Sequence, residues 1–236
     1  VNRISLGGQS FDDGVLAQLG RRHRSKDLLA ACEWMDDAHR SGELSSWSLD
    51  LIQSLPGQTV EDWGHQLNRA IACGSPHISI YDLSVEPGTV FHHRLHHGDL
   101  TLPDDDVSCD LMALTSSRLS EAGFRRYEIS NHARPGHASR HNRVYWSGAG
   151  WWGFGMGATS APWGERVARP RTREAYAAWL NDPREPEGGI GVPLDEQLLV
   201  GLRREEGMDL GALDLSSAQI TALEERWAPF LKEGLM

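Results

Sequence analysis

Apolar positions in the first two-thirds of the chain switch repeatedly between strand-like and helix-like spacing. Residues 1–6 (VNRISL) are rich in β-formers and stop at Gly7-Gly8. Asp12 and Asp13 can cap a short helix ending near Gly20. Ser25 caps a second helix, with Leu28, Leu29, Cys32, Met35 and Ala38 on one stripe and Gly42 as its stop. Residues 47–52 (WSLDLI) read as the next strand. Leu55-Pro56-Gly57-Gln58-Thr59 is a turn, and Thr59 with Asp62 forms a capping-box pattern for a helix to Ala72. Residues 77–83 (HISIYDL) are a third strand, broken at Pro87-Gly88. A helix from about 106 to 122 ends at Gly123, and residues 124–130 (FRRYEIS) read as a fourth strand.

Strands joined through helices favour parallel pairing with right-handed crossovers. The predicted class is therefore α/β, as an open sheet or a barrel segment. In both, chemistry gathers beyond the C-terminal strand ends. That rule places Gln9, Asp50, Asp82, Glu86 and Asn131 near one mouth. Each sits in or just after an apolar run, where a buried polar group needs a partner or a ligand.

From Asn131 to about Pro170 the periodicity fades, and Gly, Trp, Arg and His become frequent. So long a connection is functional or forms a small irregular subdomain. Helical patterns return near 172–181, 194–205 and 216–230, with a Pro- and Gly-rich stretch at 182–192 between the first two. The last residues, 231–236, break off at a turn signal. The expected organisation is one body over residues 1–170 and a smaller helical body over 171–236.

Composition narrows the function. The chain of 236 residues carries 23 Lys and Arg against 33 Asp and Glu, a net charge of −10. Nucleic-acid surfaces need clustered cations, so no nucleic-acid partner is expected. No apolar run approaches the roughly 20 residues that span a bilayer, so no membrane insertion is expected either. Without a recognisable signal peptide, the expected location is the cytoplasm. Cys32, Cys73 and Cys109 are an odd, scattered set, neither a disulfide framework nor a metal knot.

Four constellations could carry chemistry. Gly7-Gly8-Gln9 followed by Arg21 offers an amide and a guanidinium to a small ligand bearing a carboxylate. Asp50, between Leu49 and Leu51, would accept hydroxyls such as those of a ribose. His132, His137 and His141 lack the spacing and the acidic or Cys partners of a zinc site. An imidazole beside Tyr145 and Trp146 instead suits a planar metal-bearing ligand such as haem. His92, His93, His96 and His97 could chelate a transition metal, or simply form a solvated turn or helix start. Met156, in a Gly- and Trp-rich run, is a further conceivable axial ligand.

Taken in order, residues 1–11 (VNRISLGGQSF), 55–59 (LPGQT), 86–89 (EPGT), 127–131 (YEISN) and 141–146 (HNRVYW) resemble a known family. It is the radical S-adenosylmethionine proteins related to oxygen-independent coproporphyrinogen III oxidase, and the HNxxYW run points to its haem chaperones. The resemblance covers nearly the whole chain. It implies a partial TIM-like (βα) barrel with a smaller helical C-terminal domain. It implies S-adenosylmethionine near Gln9, Arg21 and Asp50, with Tyr81 and Ser84 as weaker carry-overs. It implies haem at His141, with iron on the imidazole and with Tyr145 and Trp146 beside it. It also implies a [4Fe–4S] cluster on a CxxxCxxC loop that these residues do not contain, so the chain is expected to be part of a longer protein, with a haem-acceptor partner and a possible homodimer. The alternative within the family is the oxidase itself, a radical oxidoreductase converting coproporphyrinogen III to protoporphyrinogen IX. Three segments depart from the family pattern. Gly8 stands for a usual Val, Ser139 for a usual Cys, and Gly155-Met156-Gly157-Ala158-Thr159-Ser160 for a Gly-Pro-Gly-Ala-His-Ser loop.

Overall fold

A computed structural model describes residues 1–184, 186, 188 and 191–234. Part of the stretch expected to separate two C-terminal helices, and the last two residues, lie outside the described residues. The chain divides into two compact units, Val1–Val144 and Tyr145–Met236. The division falls after Val144, whereas the composition shift had suggested a boundary near 170.

In the N-terminal unit the order is β1 (Arg3–Gln9), α1 (Asp13–Gln18), α2 (Ser25–Arg40), β2 (Ser46–Gln53), α3 (Val60–Ala72), β3 (His77–Asp82), α4 (Val90–His96) and α5 (Asp105–Glu121). Two short strands, β4 (Arg125–Arg126) and β5 (Asn131–Ala133), precede α6 (Arg140–Trp146). The sheet order is β1-β2-β3-β5-β4. β1, β2 and β3 run parallel, as the helical connections predict.

The capping signals act as read. Thr59 and Asp62 form a reciprocal box at the start of α3, and the Asp12 side chain accepts from the Val15 N–H to start α1. At α2 the cap is Arg24, with Asp27 accepting from the Arg24 N–H, so Ser25 is the first helical residue rather than the cap.

The fourth parallel strand does not form. Residues 124–130 give only two strand residues, and β5 returns antiparallel to both β3 and β4. The cause is local. The Glu128 carboxylate accepts from the Ser130 N–H (3.0 Å) and the Asn131 side-chain amide, and the Tyr127 N–H donates to the Asn131 carbonyl (3.2 Å). These bonds fold YEIS into a turn, because local side-chain acceptors compete with the ladder.

One face of the sheet carries the core. Trp47, Leu49, Leu51, Ile78 and Ile80 alternate along β2 and β3 and pack with Trp63, Leu67, Leu111 and Leu119 from α3 and α5. α2 reaches β1 through Gly8. A methyl placed on Gly8 would fall 2.9 Å from both Leu28 Cδ2 and Leu49 Cδ1. The glycine at this departure from the family pattern is therefore matched to its two leucine neighbours. Gly8→Val should cost about 1–3 kcal/mol by overpacking. An unchanged denaturant midpoint would show instead that α2 moves away freely.

In the C-terminal unit, β6 (Thr159–Ser160) and β7 (Val167–Ala168) pair antiparallel. Helices α7 (Arg173–Trp179), α8 (Leu194–Gly201) and α9 (Ser217–Lys232) follow, with a short 3-10 turn at Leu210–Ala212. Ser216 caps α9 in a box with Gln219. No helix among the described residues is long and apolar enough to cross a membrane.

Candidate functional site

The strand residues that do not enter the core are polar, and they line a cavity of about 760 Å³ in the N-terminal unit. β1 contributes Arg3 and Ser5, β2 Ser46 and Ser48, and β3 His77, Ser79 and Tyr81. Parallel strands covered on both faces read as apolar runs. The strict alternation here marks a sheet whose second face meets solvent or a ligand. The remaining wall is the segment into α6, including His137, Ser139 and His141.

Register decides which of these side chains meet. Ser5 pairs with Ser48, and Ser48 in turn with His77. Asp50 follows Ser48 on the same face and is half-buried. Its two oxygens accept from Ser5 Oγ (2.7 Å) and Ser48 Oγ (3.0 Å), so the carboxylate is held by hydroxyls and not by a cation.

Strain sits at the strand ends. Gln9 (φ 65°) and Ser54 (φ 58°) are non-glycine residues in the left-handed region, at the C-terminal ends of β1 and β2. The β1–β2 register also slips between Gly7 and Gln9. Gln53 Nε2 and Ser54 Oγ both donate to Asp82 Oδ1 at 2.9 Å, which makes Asp82 a clasp between β2 and β3. Asn131 is buried against Glu128. Three of the five polar residues expected at the mouth, Asp50, Asp82 and Asn131, therefore have internal partners.

Arg21 is exposed in the segment after α1, and Ser84 is exposed in the loop after β3. Tyr81 reaches the cavity. Burial raises its phenol pKa, and the charges of Asp50 and Glu128 add to that.

His141 is exposed in α6 and lines the 760 Å³ cavity. Ser139, at the second family departure, is buried and caps α6, its Oγ accepting from the Asn142 N–H (3.3 Å). Serine is among the better capping residues. Tyr145 and Trp146, which the sequence reading put beside His141, line a different cavity of about 190 Å³ in the C-terminal unit. There Tyr145 meets Trp151 edge-on at 5.0 Å. Met156, Trp152 and Phe154 are exposed, and the Thr159 carbonyl accepts from Trp151 Nε1 (3.0 Å).

The other histidines separate. His137 bonds Ser46 Oγ at 3.1 Å. His132 is buried with neither ring nitrogen partnered, and burial lowers its pKa to about 4, with Arg126 adding to the effect. Burial also takes His77 down to about 3, helped by the charges of Arg3, His132 and His137. His92 and His96 meet edge-on on α4, their ring centroids 4.5 Å apart. Among the described residues no trio of His, Cys, Asp or Glu is arranged to hold a metal ion.

The cysteines also lie apart in kind, Cys32 buried in α2, Cys73 capping α3 and Cys109 exposed on α5. Cys32 and Cys73 share a thiol hydrogen bond, which raises the Cys32 pKa and lowers that of Cys73.

Of the candidate residues singled out in the sequence, Tyr81 and His141 line the 760 Å³ cavity, as do Arg3, Ser48, His77 and Ser79, which the sequence reading did not single out. The period-two polar alternation in β1, β2 and β3 was the available signal.

No protein-family model matches the chain. Over 249 residues it is 41% identical to the heme chaperone HemW of Synechocystis sp., covering 99% of this chain and 60% of that protein. It is 34% identical to the heme chaperone HemW of Bacillus subtilis over 215 residues, covering 88% of this chain and 55% of that protein. The chain thus spans less than two-thirds of the length of these curated relatives. Among solved structures, the coproporphyrinogen III oxidase HemN from Escherichia coli, a radical SAM enzyme, aligns with a TM-score of 0.73 at 20% identity. That alignment covers 99% of this chain and 58% of that one. It shows a shared fold, the partial (βα) barrel of the radical SAM type.

Proposed function

The chain belongs to the radical S-adenosylmethionine family of HemW haem chaperones and their coproporphyrinogen III oxidase-like relatives, and from that premise we propose that it holds haem for delivery to an acceptor protein. The observation that carries this reading is the His141 imidazole, exposed on α6 within an HNxxYW run and facing a large polar cavity. His141 takes the haem iron through a ring nitrogen.

Membership in the family also brings S-adenosylmethionine and a [4Fe–4S] cluster. The donor set suits the first of these. Asp50 already accepts two hydroxyls, which is the chemistry a ribose diol presents. Gln9 stands at the strained strand end beside it, and Tyr81, Ser84 and Arg21 complete the proposed contacts. When bound, the cluster supplies an electron to S-adenosylmethionine. The cysteines of this chain do not suit that cluster, since they sit on three separate helices and one is buried. No step is assigned to them.

With a net charge of −10 and no spanning helix among the described residues, the proposed partners are haem, its acceptor and a second copy of the chain in the cytoplasm. Nucleic acid is not among them. The oxidase alternative rests on fold likeness alone. The two readings separate when the full-length protein, its cluster reconstituted anaerobically, is given haem and, separately, coproporphyrinogen III. The expected result is stoichiometric haem binding and less than one turnover of decarboxylation. Many turnovers without haem binding would favour the oxidase.

A further inference from the structure

A chain of hydrogen bonds crosses the N-terminal unit, and the position of every proton in it follows by elimination. His77 is buried and its pKa lies near 3, so its ring is neutral, with one donor nitrogen and one acceptor. Nδ1 lies 2.7 Å from Ser48 Oγ, and Nε2 lies 2.8 Å from the Tyr127 hydroxyl. At one end the Ser139 backbone N–H, which can only donate, points to the Tyr127 oxygen at 3.2 Å, and the Asn142 side chain also bonds Tyr127. At the other end Ser48 Oγ lies 3.0 Å from Asp50 Oδ1, which as a carboxylate can only accept.

Ser48 gives its proton to the Asp50 carboxylate rather than to Ser79 Oγ, which lies farther off at 3.3 Å. Ser48 Oγ then accepts from His77 Nδ1, which leaves Nε2 to accept the Tyr127 hydroxyl proton, while the Tyr127 oxygen accepts from the Ser139 N–H. The order is one-way from the α6 cap to the carboxylate. Hydrogen bonds aligned in this sense polarise and strengthen one another. The members are far apart in sequence, 50 residues separating His77 from Tyr127 and 29 separating it from Ser48.

We propose that His77 and Tyr127 are positioning residues that couple a ligand on Asp50 to the haem-bearing turn of α6. The coupling rests on the functional reading above, which places S-adenosylmethionine at Asp50 and haem at His141. Ligand hydroxyls donating to Asp50 compete with Ser48 for the carboxylate. Ser48 then draws less on His77, His77 less on Tyr127, and Tyr127 less on the Ser139 N–H that anchors the first turn of α6. S-adenosylmethionine therefore weakens the hold on haem, and by linkage haem weakens the hold on S-adenosylmethionine by the same factor.

The test uses the full-length protein with its cluster reconstituted anaerobically. Haem affinity and hydrogen exchange of peptides containing the Ser139 amide are measured with and without saturating S-adenosylmethionine. In the parent, the nucleotide should lower haem affinity about fivefold or more and speed Ser139 exchange. Tyr127→Phe and Ser48→Ala should lose both responses, while Ser48→Thr, which keeps the hydroxyl, should retain them. A general weakening of the fold would shift basal exchange in the alanine variant without erasing the response to the nucleotide. Amide exchange needs no haem, so a parent that binds no haem but still shows the nucleotide-dependent change sinks only the haem assignment and supports the coupling. No nucleotide effect on Ser139 exchange in the parent, or the same effect in Ser48→Ala, overturns the proposal.

Discussion

Between pH 7 and pH 5 the N-terminal unit is expected to lose roughly 3–4 kcal/mol of folding stability through two histidines. His77 and His132 are buried on β3 and β5, with folded pKa values of about 3 and about 4 against an ordinary 6.5. Burial is the main cause for both. The charges of Arg3 and of the neighbouring His132 and His137 add to it at His77, and that of Arg126 at His132. Because the folded values are depressed, the unfolded chain takes up these protons first as the pH falls. The contribution is therefore intact above 6.5 and is lost as pH falls from there towards 4 and 3. His132 offers the cleaner test, because neither of its ring nitrogens has a partner. His132→Phe removes a buried polar group that makes no bond, so it should be near neutral or stabilising at pH 7. It should also abolish about half of the acid loss. Urea midpoints for parent and variant at pH 7, 6 and 5 check this, and parallel curves would contradict it.

Trp63→Ala should cost about 3–5 kcal/mol, the range for emptying a core aromatic site. Trp63 is 1% exposed on α3, and its Nε1–H donates to Thr115 Oγ1 on α5 at 2.7 Å. Thr115 lies 2.9 Å from Gln53 Oε1 at the end of β2, and Gln53 in turn donates to Asp82 on β3. One side chain thus fills the core and ties two helices to the strand ends where Gln9 and Ser54 are strained. Trp63→Phe keeps most of the volume and loses the bond, so it should fall between parent and alanine. Equal denaturant midpoints for the phenylalanine and alanine variants would show that volume contributes little there.

What was legible in the sequence was what short-range chemistry dictates. Thr59 with Asp62, and Asp12 ahead of α1, announce their helices because each cap is satisfied within three residues. The parallel β1-β2-β3 core was legible because apolar residues recur between helical connections. The strand at 124–130 was misread because its alternation is genuine, while Glu128 spends its carboxylate on the backbone two residues on and bends the segment. At the site, Gln9, Asp50 and His141 stand in recognisable runs. Of the two serines that hold Asp50, Ser48 lies two residues away on the same strand, within reach of the period-two pattern. Ser5 meets it only through a register 45 residues apart in the chain. The Tyr127–His77 bond is equally non-local, and no periodicity within either segment could announce it.

The central claim is that His141 is the residue through which this protein holds haem iron. Haem titrated into the full-length protein and its His141→Ala variant, followed by the Soret band, tests it most directly. The account predicts at least about a tenfold loss of affinity, roughly 1.4 kcal/mol, together with a shifted spectrum when the imidazole is removed. Equal affinity and an unchanged spectrum would contradict it.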